Sequence, residues 1–243
     1  MTQALHTATQ EKIRSRLIDL GIADHMFYSP ATNQYWAEPF RIAAINMEPY
    51  GYENTGVYNV ERDELVSWIY DAGNCGTRTT RYTMTLLSVI LSSLDCGTAP
   101  TPEEFRYAFG DDEKIMNALD RTAYYNIRPQ SNTQKAQDYA AISSTGGSEI
   151  GRLVWDEIQA LDPHVILIAG QAGLAALNQL LRLQQPLRFR DSLIHNGILI
   201  HSIAHPSRPS YSEWGSIVMR IVKWTRSGAV PNEVTISNPC VSA

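Results

Sequence analysis

The amino-acid sequence predicts a single α/β domain in which helices cover both faces of a mainly parallel, four-stranded central sheet. Four short apolar runs typical of buried strands recur along the chain, segments with helical periodicity lie between them, and Pro, Gly, Asn or Asp bounds several of these segments. Strands that alternate with helices form parallel sheets with both faces covered. A chain of 243 residues suits one domain, spanning 1–243 with its core at about 41–226.

The four predicted strands are short apolar runs. The run at 164–170 (HVILIAG) is the clearest, because an uninterrupted apolar stretch is typical of a strand that is buried on both faces. The other three are 41–46 (RIAAIN), 123–127 (AYYNI) and 197–204 (GILIHSIA). Four helices are predicted, at 77–94, 149–161, 171–183 and about 212–226. The second begins after an N-cap at Ser148 and ends at the break formed by Asp162-Pro163.

Three further segments complete the predicted organisation. The N-terminal segment up to about Glu38 is expected to add a helix against the core. The polar stretch at 128–147 contains Gly146-Gly147 and is predicted to be a loop or exposed excursion. The tail after Ser227 is rich in Pro and Asn and is predicted to be irregular.

Composition excludes several classes of protein. No apolar run approaches the roughly 20 residues of a membrane helix, and the N-terminus lacks the apolar core of a signal peptide, so we expect a cytoplasmic protein without a membrane partner. The three cysteines, Cys75, Cys96 and Cys240, form no Cys-x-x-Cys pair and no zinc set with a nearby His, so we expect reduced thiols and no metal. No obligate protein partner is evident.

The net charge of −5 argues weakly against a nucleic-acid partner, because phosphate binding requires Lys and Arg. A compact enzyme nevertheless needs only a local basic rim around its cleft. The candidates for such a rim are Arg121, Arg128, Arg188, Arg190 and Arg208, although for each one taken separately a scattered solvated charge is the favoured interpretation.

Polar or glycine-containing motifs follow all four predicted strands, at the edge where parallel sheets bind ligands. The first is Asn46-Met47-Glu48-Pro49-Tyr50, in which a carboxylate is held beside Pro, and the second ends the next strand with Asn126. The third is Gly170-Gln171, where a helix start places backbone N–H groups near an anion or simply makes a tight turn. The fourth is the stiff loop His205-Pro206-Ser207-Arg208-Pro209-Ser210. Each motif alone also fits an ordinary turn.

In this order the four motifs resemble the uracil-DNA glycosylase superfamily over roughly residues 41–214. Met47-Glu48-Pro49-Tyr50 is similar to the Gln-Asp-Pro-Tyr loop of the main family, in which Asp activates water and Tyr walls off the 5-position of the base. Thr55-Gly56-Val57-Tyr58 is similar to the Thr-Gly-Val stretch of the single-strand-selective monofunctional branch. Asn126 matches the asparagine that reads the base, and His205-Pro206-Ser207 matches the loop whose histidine stabilises the departing base.

The sequence departs from the family in the first motif, which continues to Gly51-Tyr52. Asn46 and Met47 stand where the family has Gly-Gln or Gly-Met. Glu48 stands where the family has Asp or Asn, and its longer side chain reaches further. Gly51 replaces a histidine, which opens space at the mouth of the pocket. The cysteines do not match those of the iron–sulfur branches.

The resemblance implies a uracil-DNA glycosylase-like α/β/α fold and a hydrolase that flips a pyrimidine out of DNA and leaves an abasic site. It implies catalytic roles for Glu48 at the sugar and His205 at the base, and no cofactor. Base contacts are expected from Asn46, Tyr50, Tyr58 and Asn126. DNA contacts are expected from Ser207, Arg208, Ser210, Gly170 and Gln171.

Two substrates stay open at this point: uracil, as in base excision repair, and a 5-modified pyrimidine such as the hypermodified cytosine of some phage genomes, as in antiphage defence. The similarity to the single-strand-selective branch and the open position at Gly51 favour the larger base. The rival from another class is a catalytically silent DNA- or protein-binding module on the same fold, which the change to Glu48 favours. An enzyme for free nucleosides is a third, weaker alternative, since it would not need the Arg208 loop.

Overall fold

The computed structural model describes residues 3–20, 25–27, 33–47, 57–59, 75–128, 139–206 and 210–227. The strands in this part of the chain are β1 (His25–Phe27), β2 (Ile42–Asn46), β3 (Val57–Asn59), β4 (Ala123–Asn126), β5 (Val165–Ala169), β6 (Ser192–His195) and β7 (Ile198–Ile203). The helices are α1 (Gln3–Asp19), α2 (Asn33–Ala37), α3 (Cys75–Cys96), α4 (Pro102–Gly110), α5 (Asp112–Arg121), α6 (Tyr139–Thr145), α7 (Glu149–Ala160), α8 (Gly170–Leu181) and α9 (Tyr211–Arg226). None of these helices is both long and apolar enough to cross a lipid bilayer.

The central sheet confirms the predicted α/β class. Its strands lie in the order β4-β2-β5-β7-β6, and the four predicted strands β2, β4, β5 and β7 pair in parallel. β1 and β3 form a separate two-stranded parallel pair. All five residues of β2 and all five of β5 are buried, as expected for central strands covered on both faces.

The predicted strand count of four is wrong, because β6 adds a fifth strand that runs antiparallel to β7. The two are joined by Asn196-Gly197, whose φ angles of 51° and 78° are those of a tight hairpin turn. All four residues of β6 are only half-buried, so the strand lacks the continuous apolar run by which the other strands were predicted.

Helices pack on both faces of the sheet, as predicted. On one face α3, α4, α5 and α9 contribute side chains to a single apolar cluster with the sheet, and α1, α6, α7 and α8 do so on the other face. The largest buried side chain of the first cluster is Trp214 of α9. The second cluster includes Leu17 of α1, which confirms that an N-terminal helix packs against the core.

Helix boundaries follow local signals. Ser148 caps α7 as predicted, because its hydroxyl accepts a hydrogen bond from the Gly151 N–H at 3.1 Å. α4 and α5 were not predicted, although Thr101 and Glu104 form a reciprocal capping box at the start of α4.

The predicted loop at 128–147 is wrong for its second half, since residues 139–145 form α6. Gly146 follows this helix and packs directly on α8, where an added Cβ would meet the Ala176 carbonyl oxygen at 1.7 Å. Gly146 and Gly147 thus form the turn between α6 and α7, as the glycine pair predicted, and Gly146 also allows this turn to pack closely on α8. Residues 129–138 and the predicted irregular tail at 228–243 lie outside the described residues.

Candidate functional site

The ends of the parallel strands meet along one edge of the sheet, and a cleft of about 500 Å³ opens there. Its volume lies within the roughly 300–1,000 Å³ of small-molecule sites. The cleft draws on segments that are far apart in the sequence: the residue after β2, helix α6, the start of α8, the loop before β6 and the residues after β7. The lining residues are Met47, Ser143, Gly170, Gln171, Ala172, Phe189 and His205.

Gly170 forms the turn from β5 into α8 directly beneath Met47. Its φ of +74° lies in the left-handed region, and an added Cβ would lie 2.9 Å from the Met47 Sδ atom. The position therefore needs glycine for both its backbone conformation and its packing. Met47 itself is buried, so its backbone is fixed where the first motif begins.

The N-terminus of α8 faces the cleft without a side-chain cap. Ala169 occupies the N-cap position and provides no hydrogen-bonding side chain. Gly170, Gln171 and Ala172 form the first turn, and all three line the cleft. Unsatisfied N–H groups and the helix dipole make such an end favourable for negative charge, so the cleft can stabilise an anion.

His205 lines the opposite wall of the cleft, two residues after β7 ends. The backbone just before it is held in place by α9, because the Ala204 N–H donates to Glu213 Oε1 at 3.3 Å. Glu213 in turn pairs with Arg190 at 2.9 Å. The imidazole is half-buried and can donate a hydrogen bond to a group bound in the cleft.

Asn46 and Asn126 lie side by side at the ends of β2 and β4, as paired residues of the parallel ladder. Their proximity is reinforced beyond the strands, where the Ile127 N–H donates to the Asn46 carbonyl at 2.8 Å. Side chains of paired residues project to the same face of a sheet. Two amide side chains are therefore presented together at the carboxyl edge.

The Asn46 amide is buried but unsatisfied. The residue is 4% exposed, and neither its oxygen nor its nitrogen has a hydrogen-bond partner among the described residues. It lies beside the Tyr124 hydroxyl, which also approaches the Thr80 hydroxyl at 3.4 Å. Burial raises the pKa of Tyr124, and its contacts with Thr80 and Asn46 offset part of that rise. A buried amide whose one polar contact within the described part of the chain is with the Tyr124 hydroxyl is unusual, and a bound polar group would satisfy its other hydrogen-bonding positions.

The structure brings together three of the predicted site residues in the cleft, namely Gly170, Gln171 and His205. Ser210 lines a neighbouring cavity instead. The backbone of Tyr58 lies on β3, paired with Met26, and only its backbone is described. Four predicted residues lie outside the described residues: Glu48, Tyr50, Ser207 and Arg208.

Phe189 is a cleft residue that the motifs did not reveal. It is 36% exposed, and the Arg190 guanidinium lies 5.2 Å from the centre of its ring. Its loop is joined to α8 by the Asn178 side-chain amide, whose Nδ2 donates to the Leu187 carbonyl and whose Oδ1 accepts from the Leu187 N–H, each at 2.9 Å. The sequence feature that could have identified Phe189 is its position between Arg188 and Arg190 in a polar loop, where a large aromatic residue is unexpected. Three other lining residues were not predicted, because the motifs single out polar or glycine residues just after strands. They are Met47, which is apolar, and Ser143 and Ala172, which lie in helices.

The predicted basic rim is wrong for Arg121. This residue ends α5, two residues before β4 begins, at the edge of the sheet opposite the cleft, and it pairs with Glu38 at 2.6 Å and Asp95 at 3.1 Å. Those contacts raise its pKa, and they assign it a structural role in holding α5. Arg190 does lie near the cleft, although it is paired with Glu213.

In the part of the chain that the structure describes, no three His, Cys, Asp or Glu side chains lie together as a metal set. No protein-family model matches the chain, and no curated protein is significantly similar to it.

Proposed function

We propose that this chain is a monofunctional DNA glycosylase that flips a non-canonical pyrimidine out of DNA and hydrolyses its bond to the sugar. The observation that carries the proposal is the cleft at the carboxyl edge of the sheet, which is lined by His205 and by the uncapped start of α8. Asn46 and Asn126 end β2 and β4 at the same edge of the sheet and are not among the lining residues of the cleft. All four motifs on which the resemblance to the uracil-DNA glycosylase superfamily depends therefore contribute a residue to this edge.

Cleavage of an N-glycosidic bond produces an anionic base, and two features of the cleft suit that charge. His205 would donate a hydrogen bond to the base oxygen as the bond breaks. A positioned donor of this kind contributes roughly 3–4 kcal/mol to a transition state. The N–H groups at the start of α8 would add a favourable dipole.

The sugar becomes oxocarbenium-like in the same step and requires negative charge. We assign this role to Glu48, which directly follows the buried Met47 in the chain. Its carboxylate would stabilise the cationic sugar and orient the attacking water. The reaction balances with water alone: the base leaves with the bonding electron pair, and water provides the hydroxyl and the proton. No cofactor enters this scheme.

The two asparagines would read the edge of the flipped base. An unsatisfied buried amide costs about 1–3 kcal/mol, and a base edge that hydrogen-bonds with Asn46 would recover that energy. Asn126 would provide a second contact from the adjacent strand, while Tyr58 and Tyr50 would enclose the ring. Ser207, Arg208 and Ser210 would contact DNA around the vacated position.

The apolar side of the cleft supports a substrate with a substituent. Met47 and Phe189 add hydrophobic surface next to His205, and Gly51 removes a side chain from the first motif. A 5-modified pyrimidine, such as a hypermodified phage cytosine, is therefore our first candidate, and uracil is the second. Such an enzyme would act on DNA in the cytoplasm, in antiphage defence or base excision repair.

A catalytically silent DNA- or protein-binding module is the alternative, favoured by Glu48 in place of the family's Asp or Asn. Catalysis is tested with Glu48→Gln and His205→Ala on oligonucleotides that carry uracil or a 5-modified cytosine. We expect each change to reduce abasic-site formation at least 100-fold with DNA binding retained, whereas the control His195→Ala, in the β6–β7 hairpin, should keep activity. Full activity in both Glu48→Gln and His205→Ala would refute the mechanism.

A further inference from the structure

A second cavity, which we call the serine–arginine cavity, lies beside the cleft and is not used by the mechanism above. It measures about 410 Å³ and lies between the loop before β6, strand β7 and the first three turns of α9. It is lined by hydroxyl, guanidinium, imidazole, carboxylate and apolar groups, from Arg190, His201, Ser210, Ser212, Glu213, Ser216, Ile217 and Arg220.

The charged groups of this cavity are paired in a way that leaves donors free. Asp191 accepts from the Ser192 N–H at 2.8 Å and lies 3.6 Å from Arg220 Nη1. Both oxygens of Glu213 are likewise engaged, by Ala204 and Arg190. Asp191 Oδ1 and both carboxylate oxygens of Glu213 are therefore occupied.

The guanidinium of Arg220 keeps unused donors. Its Nη1 atom makes the 2.6 Å hydrogen bond to Ser192 Oγ and the contact with Asp191. Guanidinium has five N–H donors, and within the described ranges Nε and Nη2 make no hydrogen bond, so they can donate to a ligand. Ser210, at the N-cap of α9, makes no capping hydrogen bond, which leaves the first N–H groups of that 16-residue helix without a side-chain acceptor.

His201 provides an independent indication that a ligand belongs here. The residue lines the cavity and is 3% exposed, and its Nδ1 atom is buried with no hydrogen-bond partner among the described residues. Burial, together with the positive charge of Arg220, lowers the pKa of His201 to about 3. An unpartnered polar atom in a cavity rich in donors is typical of a site whose polar ligand is missing.

The serine–arginine cavity adjoins the proposed active-site cleft through two short segments. Arg190 follows Phe189, which lines the cleft, and Glu213 holds the backbone next to His205. The two cavities therefore share adjacent residues of the same segments, and this is the basis for connecting them to one DNA strand.

From this arrangement we propose that the serine–arginine cavity binds a phosphate group, and that the phosphate is a phosphodiester of the DNA strand whose base occupies the cleft. The assignment to DNA rests on the proposed function. A phosphate is acceptor-rich and anionic, which matches the guanidinium donors of Arg220 and the uncapped N–H groups at the start of α9. The serine hydroxyls are engaged locally, since Ser216 donates to the Ser212 carbonyl and the hydroxyls of Ser210 and Ser212 bond each other.

The first test measures the salt dependence of DNA binding with Arg220→Gln. A labelled oligonucleotide with an uncleavable abasic analogue is titrated by fluorescence anisotropy at several salt concentrations. Loss of one phosphate contact should reduce the slope of log K against log salt by about 0.7–1. The control Arg16→Gln removes a paired arginine from α1, on the other face of the sheet, and should leave the slope unchanged.

Arg220 also donates a hydrogen bond to Ser192, so Arg220→Gln could weaken DNA binding by disturbing the fold. A second variant, which leaves this hydrogen bond in place, therefore accompanies it. Ser216→Asp adds a carboxylate at an exposed position that lines the cavity, and it should weaken DNA binding at least fivefold at low salt. Its control is Ser15→Asp, because Ser15 is also an exposed helix serine whose hydroxyl donates to the carbonyl four residues earlier.

A thermal-shift experiment with inorganic phosphate distinguishes the sources of the ligand. Phosphate should raise the Tm of the wild-type chain above that in chloride of equal ionic strength, and the rise should be lost in Ser216→Asp. If phosphate raises the Tm but neither variant changes DNA binding, a free phosphate compound is the ligand and the DNA assignment is wrong. No effect of either variant in either assay would overturn the site. Phosphate binding without any base release would leave the site intact and refute the glycosylase.

Discussion

Replacement of Glu157 by glutamine should stabilise the protein at alkaline pH. Glu157 lies on α7 and is 1% exposed. Its Oε1 atom accepts hydrogen bonds from Gln10 Nε2 at 2.8 Å and from the Tyr125 hydroxyl at 3.1 Å, while Oε2 has no partner among the described residues. Burial raises the pKa of this carboxyl to about 7 from an ordinary 4.5, although both hydrogen bonds oppose the rise.

The sign of the effect follows from proton linkage. Below pH 4.5 the Glu157 carboxyl is neutral in the folded and the unfolded protein alike, so its ionisation does not change the free energy of unfolding. Between pH 4.5 and 7 the unfolded chain loses this proton while the folded protein keeps it, so the free energy of unfolding falls by about 1.4 kcal/mol per pH unit. The fall ends once the folded carboxyl also ionises, at a total of about 3 kcal/mol. Glutamine keeps the acceptor oxygen and does not titrate.

Urea unfolding followed by tryptophan fluorescence measures the difference between variant and wild type at several pH values. We expect Glu157→Gln to be more stable by under about 1 kcal/mol at pH 5 and by about 3 kcal/mol at pH 8. The control is Glu149→Gln, on the same helix but exposed and paired with Arg16, which should change stability by less than about 1 kcal/mol at either pH. A stability difference for Glu157→Gln that does not grow with pH would refute the reasoning.

Three further changes test the packing and the cleft. Gly146→Ala forces a Cβ to within 1.7 Å of a backbone carbonyl on α8, so it should lower the free energy of unfolding in urea by more than about 2 kcal/mol. The control is Gly215→Ala, because an added Cβ there meets no atom within 4 Å. Equal stability of the two variants would contradict the tight packing at Gly146. Gly170→Ala places a side chain at φ +74° and should cost roughly 1–2 kcal/mol, whereas a cost below the error of the measurement would show that the turn tolerates a Cβ. Phe189→Ala should raise KM for DNA at least fivefold with the Tm nearly unchanged, and an unaltered KM would remove Phe189 from the site.

Strands that lie inside the sheet could be predicted from the sequence because their burial determines their composition. The run at 164–170 is apolar throughout because β5 is covered on both faces, and the observed strand, Val165–Ala169, differs from it by one residue at each end. β6 was missed because an edge strand is half-exposed and carries no such run. The Asn-Gly turn was its only strong local signal.

Residues that contact across the fold were harder to predict. Asn46 and Asn126 were both identified at strand ends, but their adjacency depends on β2 pairing with β4, which the sequence does not specify. Gly146 was interpreted only as a loop residue. Its second role, close packing on α8, depends on a tertiary contact that the local sequence does not show. Phe189 and Met47 line the cleft because distant segments pack together there. A single apolar residue belongs to no recognisable sequence motif, so this role could not be predicted.

The most direct test of the proposed glycosylase is base release by the wild-type chain. The full-length protein is incubated with uracil-containing DNA and, separately, with phage DNA that carries modified cytosines, and free bases and abasic sites are measured by mass spectrometry. The proposal predicts stoichiometric release of one of these bases, with the modified cytosine expected first, and an abasic site for each base released. Intact DNA in both reactions, from a protein that binds the same DNA, would contradict catalysis and favour the silent binding module.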